Sequence, residues 1–314
     1  MKRYIFKRLL LLIPIVLGIT FLSFALMRIA GSDAILQQVD ATGIALSQEV
    51  IDARREELGL NQPFLIQYVR WLGGFLTGDL GVSYISGNDV FSTFVSKLPA
   101  TLFLTGSSML LTVIISLPLG ILAAIRQNKF TDYLIRTSSF IGSSLPNFFV
   151  ALLLMYFLSI RLPVFPVISE GINIKSIVLP TLTLGIAMSA RYLRQIRAAV
   201  LEELGKEYVA GEKARGIEFS ATLWKSVLRS CLVTILTLMA LSIGSLLGGT
   251  AIVESIFMWD GVGKLAVDAI NMRDYPVIQA YVVWMAMIYV IVNLATDVIY
   301  RLIDPRIRLE GERR

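Results

Sequence analysis

The sequence predicts an all-α, polytopic membrane protein, and three observations carry that expectation. Hydrophobic residues make up 55% of the 314-residue chain, and its mean hydropathy is +0.71, which places it among membrane proteins before any motif is considered. Six stretches, at about 9–30, 99–124, 134–159, 177–196, 231–256 and 279–303, are apolar enough to span a bilayer, for which a helix needs about 20 residues. The 29 Lys and Arg are shared unevenly among the joining segments, with 20 of them in alternate segments.

The first stretch follows Lys2, Arg3, Lys7 and Arg8. Its apolar core at 9–27 exceeds the roughly 7–15 residues of a cleavable signal, so it reads as an uncleaved signal anchor. Residues 31–98 come next. They include a polar helical stretch at 48–58, and then Pro63, which opens a helix with Leu65, Tyr68, Val69 and Leu72 on one face. Tyr68, Trp71 and Phe75 suit a membrane interface, and two readings stand: an interfacial helix or a docking surface for an external partner. In the second and third spans Pro118, Gly120 and Pro146 are potential kinks. In the fifth, Gly244, Gly248 and their small neighbours permit close helix contact, with a lining for a substrate path as the other reading. Cys231, the only cysteine, reads as a small packed residue and allows no intrachain disulfide. Between the last two spans, 262–272 forms a short amphipathic helix, and Pro276 starts span six.

The polar stretch at 191–229 organises the chain. It carries eight basic residues between two spans, and Gly205 and Gly216 divide it. Residues 191–204 continue the preceding span as a helix, with Leu193, Ile196, Val200 and Leu204 at helical spacing. Residues 206–215 make a separate short helix of roughly 15 Å. Gly216 suits the position just past its end, where a left-handed conformation carries no Cβ penalty, and Ser220 caps a third helix. A short helix held between two membrane-anchored ones is a lever: whatever grips it moves the spans.

Absence narrows the chemistry. With no histidine and one thiol, His-based triads, Cys–His dyads and the usual zinc sets are excluded. No G-x-x-x-x-G-K-[ST] run is present, so no P-loop in this chain holds ATP. The span centres at 9–27, 99–125, 137–160, 176–190, 231–253 and 280–296 carry no charge, whereas ion-driven carriers often place ionisable groups there. An energy source outside the spans is favoured. The net charge of +6 reflects membrane orientation and contact with anionic lipid, with no reason to invoke nucleic acid.

Tyr208-Val209, Ala214-Arg215-Gly216 and Leu228-Arg229 resemble the loop that carries the coupling helix in ABC-importer permeases of the dipeptide/oligopeptide/nickel family. The run from Gly78 to Ser83 and SLPNFFVALLLM at 144–155 resemble the same family. So does the 248–280 segment, with Glu254, Ile256-Phe257, Trp259, Gly261, Gly263, Ala269-Ile270 and the run Arg273-Asp274-Tyr275-Pro276-Val277-Ile278-Gln279. Glu212, Ser230 and Asp260 stand where the family usually has Ala, Asn and Pro, and the family usually has a proline near Thr234. The resemblance covers the whole chain, through Asp304-Pro305-Arg306 near its end.

That resemblance implies a type I ABC-importer permease fold with six transmembrane helices. It divides the chain into residues 1–94 (first helix and extracytoplasmic segment), a permease core at 95–303 and a cytoplasmic tail at 304–314. It implies a second, homologous permease, two ATPase subunits that bind ATP and Mg, an extracytoplasmic substrate-binding protein, and a bacterial cytoplasmic (inner) membrane as the location. This chain would hold no cofactor, metal or catalytic residue. Tyr208, Val209, Glu212, Ala214, Arg215 and Gly216 would transmit. The outer loops, with Glu254, Trp259, Gly261, Gly263, Arg273, Asp274, Tyr275 and Pro276, would receive substrate. The cargo would be nickel, a metal chelate or short peptides, with a lean to the nickel and chelate branch. A passive channel or ion-coupled carrier, and a membrane enzyme, are the competing classes; no nucleophile–base pair supports the last.

The basic bias places both termini and the 191–229 loop in the cytoplasm, with 31–98, 161–176 and 257–278 outside. In a Cys231→Ser background, a cysteine at Ser220 should resist an impermeant maleimide added from outside. Labelling from that side would overturn the orientation.

Overall fold

The computed structural model describes residues 2–29, 47–57 and 61–303. The expectations for 31–46 and for the tail at 304–314 lie outside the described residues. In chain order the helices are α1 (Lys2–Ile29), α2 (Gln48–Glu57), α3 (Phe64–Thr77), α4 (Val90–Ile125), α5 (Phe130–Ser144), α6 (Asn147–Met155), α7 (Ile174–Leu204), α8 (Glu207–Ala214), α9 (Phe219–Ala221), α10 (Leu228–Ile256), α11 (Val262–Met272) and α12 (Tyr275–Ile303). Wider π turns follow α6 over Tyr156–Arg161 and join α9 to α10 over Thr222–Val227. Among the described residues the only extended pairing is an isolated bridge between Val82 and Asp89. The all-α expectation holds.

Within the described residues, Val90–Ile125, Ile174–Leu204 and Tyr275–Thr296 are each long and apolar enough to cross a membrane. The expected straight third span is instead a bent pair: α5 and the α6 segment meet at 98°. The cause is local. Leu145 (φ −83°, ψ 131°) and Pro146 (φ −62°, ψ 142°) are both extended, because the proline ring crowds an α-helical conformation out of the residue before it and supplies no N–H of its own. The other two expected spans fall in α1 and α10, where some side chains lie outside those described.

The chain divides into two compact units, residues 1–101 with 260–291, and residues 102–259 with 292–314. In the first unit α3 packs on α1 through an aromatic stripe. Phe64, Tyr68, Trp71 and Phe75 fall at helical spacing, and the Phe24 ring lies 5.4 Å from Phe64, 5.6 Å from Tyr68 and 5.8 Å from Trp71. The expected face of Leu65, Tyr68, Val69 and Leu72 therefore splits: Tyr68 is buried while Leu65 and Val69 are each 64% exposed. The aromatic stripe wins because its rings offer more area and favourable edge-to-face geometry.

In the second unit α7 lies against α5, α6 and α10. Its contact with α4 is made at glycines on both sides. A Cβ on Gly120 of α4 would stand 2.8 Å from Cγ2 of Ile196, and one on Gly185 of α7 would stand 2.6 Å from Cδ2 of Leu111. Gly120 thus serves close packing, and α4 runs through Pro118 and Gly120 unbroken. Near one end of α7, Ile121, Tyr192, Ile196, Val200, Val227 and Ile235 form a buried cluster joining α4, α7 and α10.

A polar brace ties α5 to α7. Arg197 donates to Asp132 with both Nε and Nη2, each at 2.7 Å. The Asp132 side chain is fully buried and that of Arg197 17% exposed. Asp132 also accepts the Asn128 backbone N–H at 3.0 Å, and one turn before Arg197, Arg194 donates to Ser143 Oγ at 2.8 Å. The two parallel hydrogen bonds from Arg197 and the one from Asn128 compensate the burial of the Asp132 carboxylate.

Removing one partner of such a pair costs roughly 3–5 kcal/mol, because the other charge stays buried and uncompensated. Arg197→Met should therefore lower the thermal unfolding temperature in detergent, and adding Asp132→Asn to it should restore part of the loss. An unfolding temperature unchanged in Arg197→Met would remove the brace from this account.

Candidate functional site

The segment after α7 is built as a tight, capped turn of helix. Gly205 ends α7, Lys206 is extended (φ −77°, ψ 151°), and α8 begins at Glu207. This matches the expected short helix at 206–215 to within a residue at each end. Gly216 has φ +77°. Its N–H donates to Lys213 O at 3.0 Å, and the Ile217 N–H donates to Glu212 O at 3.1 Å. These two bonds are the paired closure in which a left-handed residue lets the chain reverse over the last helical turn. Ser220 is not the cap expected of it. The cap position is Glu218, without a side-chain bond, and Ser220 lies inside α9.

Two side-chain bonds and one apolar contact seat α8. Tyr208 Oη donates to Glu203 Oε2 at 2.9 Å, and Lys206 pairs with the same carboxylate. Ser226 Oγ donates to Glu212 Oε1 at 2.7 Å. Val209 packs against the buried cluster of α7 and α10. The electrostatics follow the seating. Burial, then the bond to the Glu203 carboxylate, pushes the Tyr208 hydroxyl up to about 12. The hydroxyls of Thr222 and Ser226 hold the Glu212 carboxyl below its ordinary value. The Glu203 carboxylate raises the Lys206 ammonium.

Of the six residues expected to transmit, Tyr208, Val209 and Glu212 thus turn towards α7 and the 219–256 helical run. Ala214, Arg215 and Gly216 are exposed, as are Glu207, Ala210 and Lys213. Sequence reasoning missed Glu203, Thr222 and Ser226. The five-residue step from Glu203 to Tyr208 crosses a helix break, so no helical periodicity marks it.

The second group of expected residues lies around α11. In the second unit Glu254 and Trp259 are both buried, and the Trp259 N–H donates to Glu254 O at 2.8 Å. In the first unit Gly261 precedes α11 in an extended conformation (φ −103°, ψ 179°). The next N–H, of Val262, donates to Thr101 Oγ1 at 2.8 Å. Gly263 is buried in the first turn of α11, and Arg273 ends the helix at φ +56°. Asp274 is buried and accepts from Ser83 Oγ at 2.5 Å and from the Tyr84 N–H at 3.1 Å. The same Ser83 Oγ accepts the Ser86 N–H at 2.9 Å. The loop that follows Gly78 is thereby pinned to the start of α12, whose first turn holds Tyr275 and Pro276. Asp260 pairs with Lys97.

The described residues thus combine helices long and apolar enough to cross a membrane with a short helix seated between two of the longer ones. The chain belongs to the family described as "Binding-protein-dependent transport system inner membrane component", which it matches over residues 116–309, with the family's N-terminal component matching residues 1–105. It is 39% identical to the oligopeptide transport system permease protein AppB of Bacillus subtilis over 98% of this chain and 99% of that one. It is 34% identical to the metal-staphylopine import system permease protein CntB of Staphylococcus aureus, covering all of both chains. Among solved structures, the inward-facing MetNI methionine ABC transporter matches 67% of this chain and 96% of its own, with a TM-score of 0.56 at 19% identity; that likeness shows the shared fold. The chain is a permease subunit of an ABC importer and is not itself an enzyme.

Proposed function

We propose that this permease carries short peptides or metal chelates inward across the cytoplasmic membrane of a bacterium, driven by two ATPase subunits that grip α8. The observation that supports this most directly is the seating of α8. One side is bonded to Glu203 and Ser226, and the other side, with Glu207, Ala210 and Lys213, is exposed. A push on the exposed side passes through Tyr208 and Glu212 into α7 and the 219–256 run, and through Arg197 and Asp132 into α5. ATP binding then favours one of two permease conformations by as much as the ATPases prefer it.

In this reading a second, homologous permease completes the pathway, and both termini and α8 face the cytoplasm. The loops around Ser83 and Asp274 meet an extracytoplasmic binding protein, and ATP and Mg stay with the ATPases. The permease core runs from 95 to 303, after an N-terminal part at 1–94 and before a tail at 304–314. Relatives named for oligopeptide and for metal-staphylopine import both align from end to end, so both cargo classes are kept. A histidine-free chain with one buried cysteine is a poor ligand set for bare nickel, which leaves any choice of metal to the binding protein.

Gly216 tests the lever. Nothing lies within 4 Å of a Cβ placed there, so a substitution meets backbone strain and no clash. A β-branched residue at positive φ is strained by roughly 1–2 kcal/mol, whereas asparagine tolerates that conformation. In assembled complexes reconstituted with the binding protein, Gly216→Val should lose uptake or uncouple it from ATP hydrolysis, and Gly216→Asn should keep both near wild type. Wild-type uptake and stimulation in Gly216→Val would sink the assignment of α8.

A further inference from the structure

We infer that α3 is embedded in the membrane beside α1, in the leaflet on the Arg28 side, with lipid acyl chains covering its outer face. The register against α1 carries the argument. Between Arg8 and Arg28 the sequence of α1 holds no charge, and the interval measures about 30 Å at 1.5 Å per residue, the thickness of a bilayer's hydrocarbon core, also about 30 Å. Arg28 therefore marks one boundary, and its guanidinium lies over the Phe24 ring at 5.3 Å.

The aromatic and hydroxyl contacts of α3 on α1 lie inside that boundary. Phe64 meets Phe21 and Phe24 at 5.7 and 5.4 Å. The Tyr68 hydroxyl reaches deeper, to Thr20 Oγ1 at 2.9 Å, and Thr20 is about 12 Å along α1 from Arg28 at 1.5 Å per residue. A phenol placed there needs a partner, because no water is available to it. Thr20 supplies one, and its own hydroxyl also bonds Val16 O at 2.8 Å.

The opposite face of α3 has the chemistry this depth requires. Leu65 and Val69 are 64% exposed, Leu76 75% and Ile66 51%. Arg70 is the helix's one charged residue. A helix apolar on both sides does not project into water. At 14 residues, about 21 Å long, it is too short to cross the bilayer and so lies within one leaflet. On α1 itself, Leu22 and Leu26 are exposed as well, each at 60%. The interfacial reading of α3 is thus favoured over docking, and its burial goes past the headgroups into the acyl region.

Nitroxide side chains on Val69→Cys and Leu76→Cys, made in Cys231→Ser and reconstituted in the assembled complex, test this by collision with oxygen and with chromium oxalate. An Asp79→Cys label, on an exposed residue beyond the helix, serves as the aqueous reference. The inference predicts relaxation by oxygen and loss of relaxation by chromium oxalate at 69 and 76, against strong chromium oxalate relaxation at 79. Chromium oxalate access at 69 and 76 equal to that at 79 would overturn it in favour of an aqueous surface. Low access to both reagents would also overturn it, because protein and not lipid would then cover the face.

Discussion

The two parallel hydrogen bonds between Arg197 and Asp132 are the constraint on which the packing of α5 against α7 depends. A fully buried carboxylate tolerates no slippage: shifting α5 by a turn against α7 would strand it without its guanidinium. The pair fixes the register of α5 on α7 with a fork geometry that a lysine would not reproduce. Arg194 repeats the contact one turn away through Ser139 and Ser143. α7 also carries α8 at its end, so the brace links α5 to the helix from which α8 continues. The chain then turns by 98° at Leu145 and Pro146.

An eight-residue helix has almost no stability of its own in water, so α8 exists because its ends and its seat are supplied from outside it. Lys206 enters extended, Gly216 closes the far end with a left-handed turn, and Glu203 and Ser226 bond its two anchoring side chains. All four lie outside the helix. A helix held this way keeps its end and side-chain bonds only while those supports stay in place. The same economy appears at the Ser83–Asp274 contact, where a single buried carboxylate and hydroxyl organise the loop between α3 and α4.

Where the chain stops and starts its helices was largely legible, because glycine and proline act locally. Gly205 and Gly216 bounded α8, Pro63 opened α3, and Pro276 fell in the first turn of α12. What the helices do to each other was less so. Pro146 was expected to kink a span and instead breaks it, since two extended residues in succession turn a chain far more than one lost hydrogen bond. Pro118, of the same type, leaves α4 continuous. The buried face of α3 was misread by periodicity, which ranks all apolar residues alike and does not see that Phe64 and Trp71 find aromatic partners on α1. The Asp132–Arg197 pair joins residues 65 positions apart, and no spacing rule announces it. Glu203 and Ser226 were invisible for the same reason: their role is defined by the helix they hold, not by a pattern of their own.

The central claim is that the exposed side of α8 is where the driving subunits take hold. A photoactivatable benzoylphenylalanine in place of Lys213, on that side and away from Glu203 and Ser226, reads this directly in the assembled transporter. Irradiation should join this chain to an ATPase subunit, with a yield that changes when ATP replaces ADP. Irradiation of active, assembled complexes that yields adducts with lipid or with the partner permease and none with the ATPase would contradict the account.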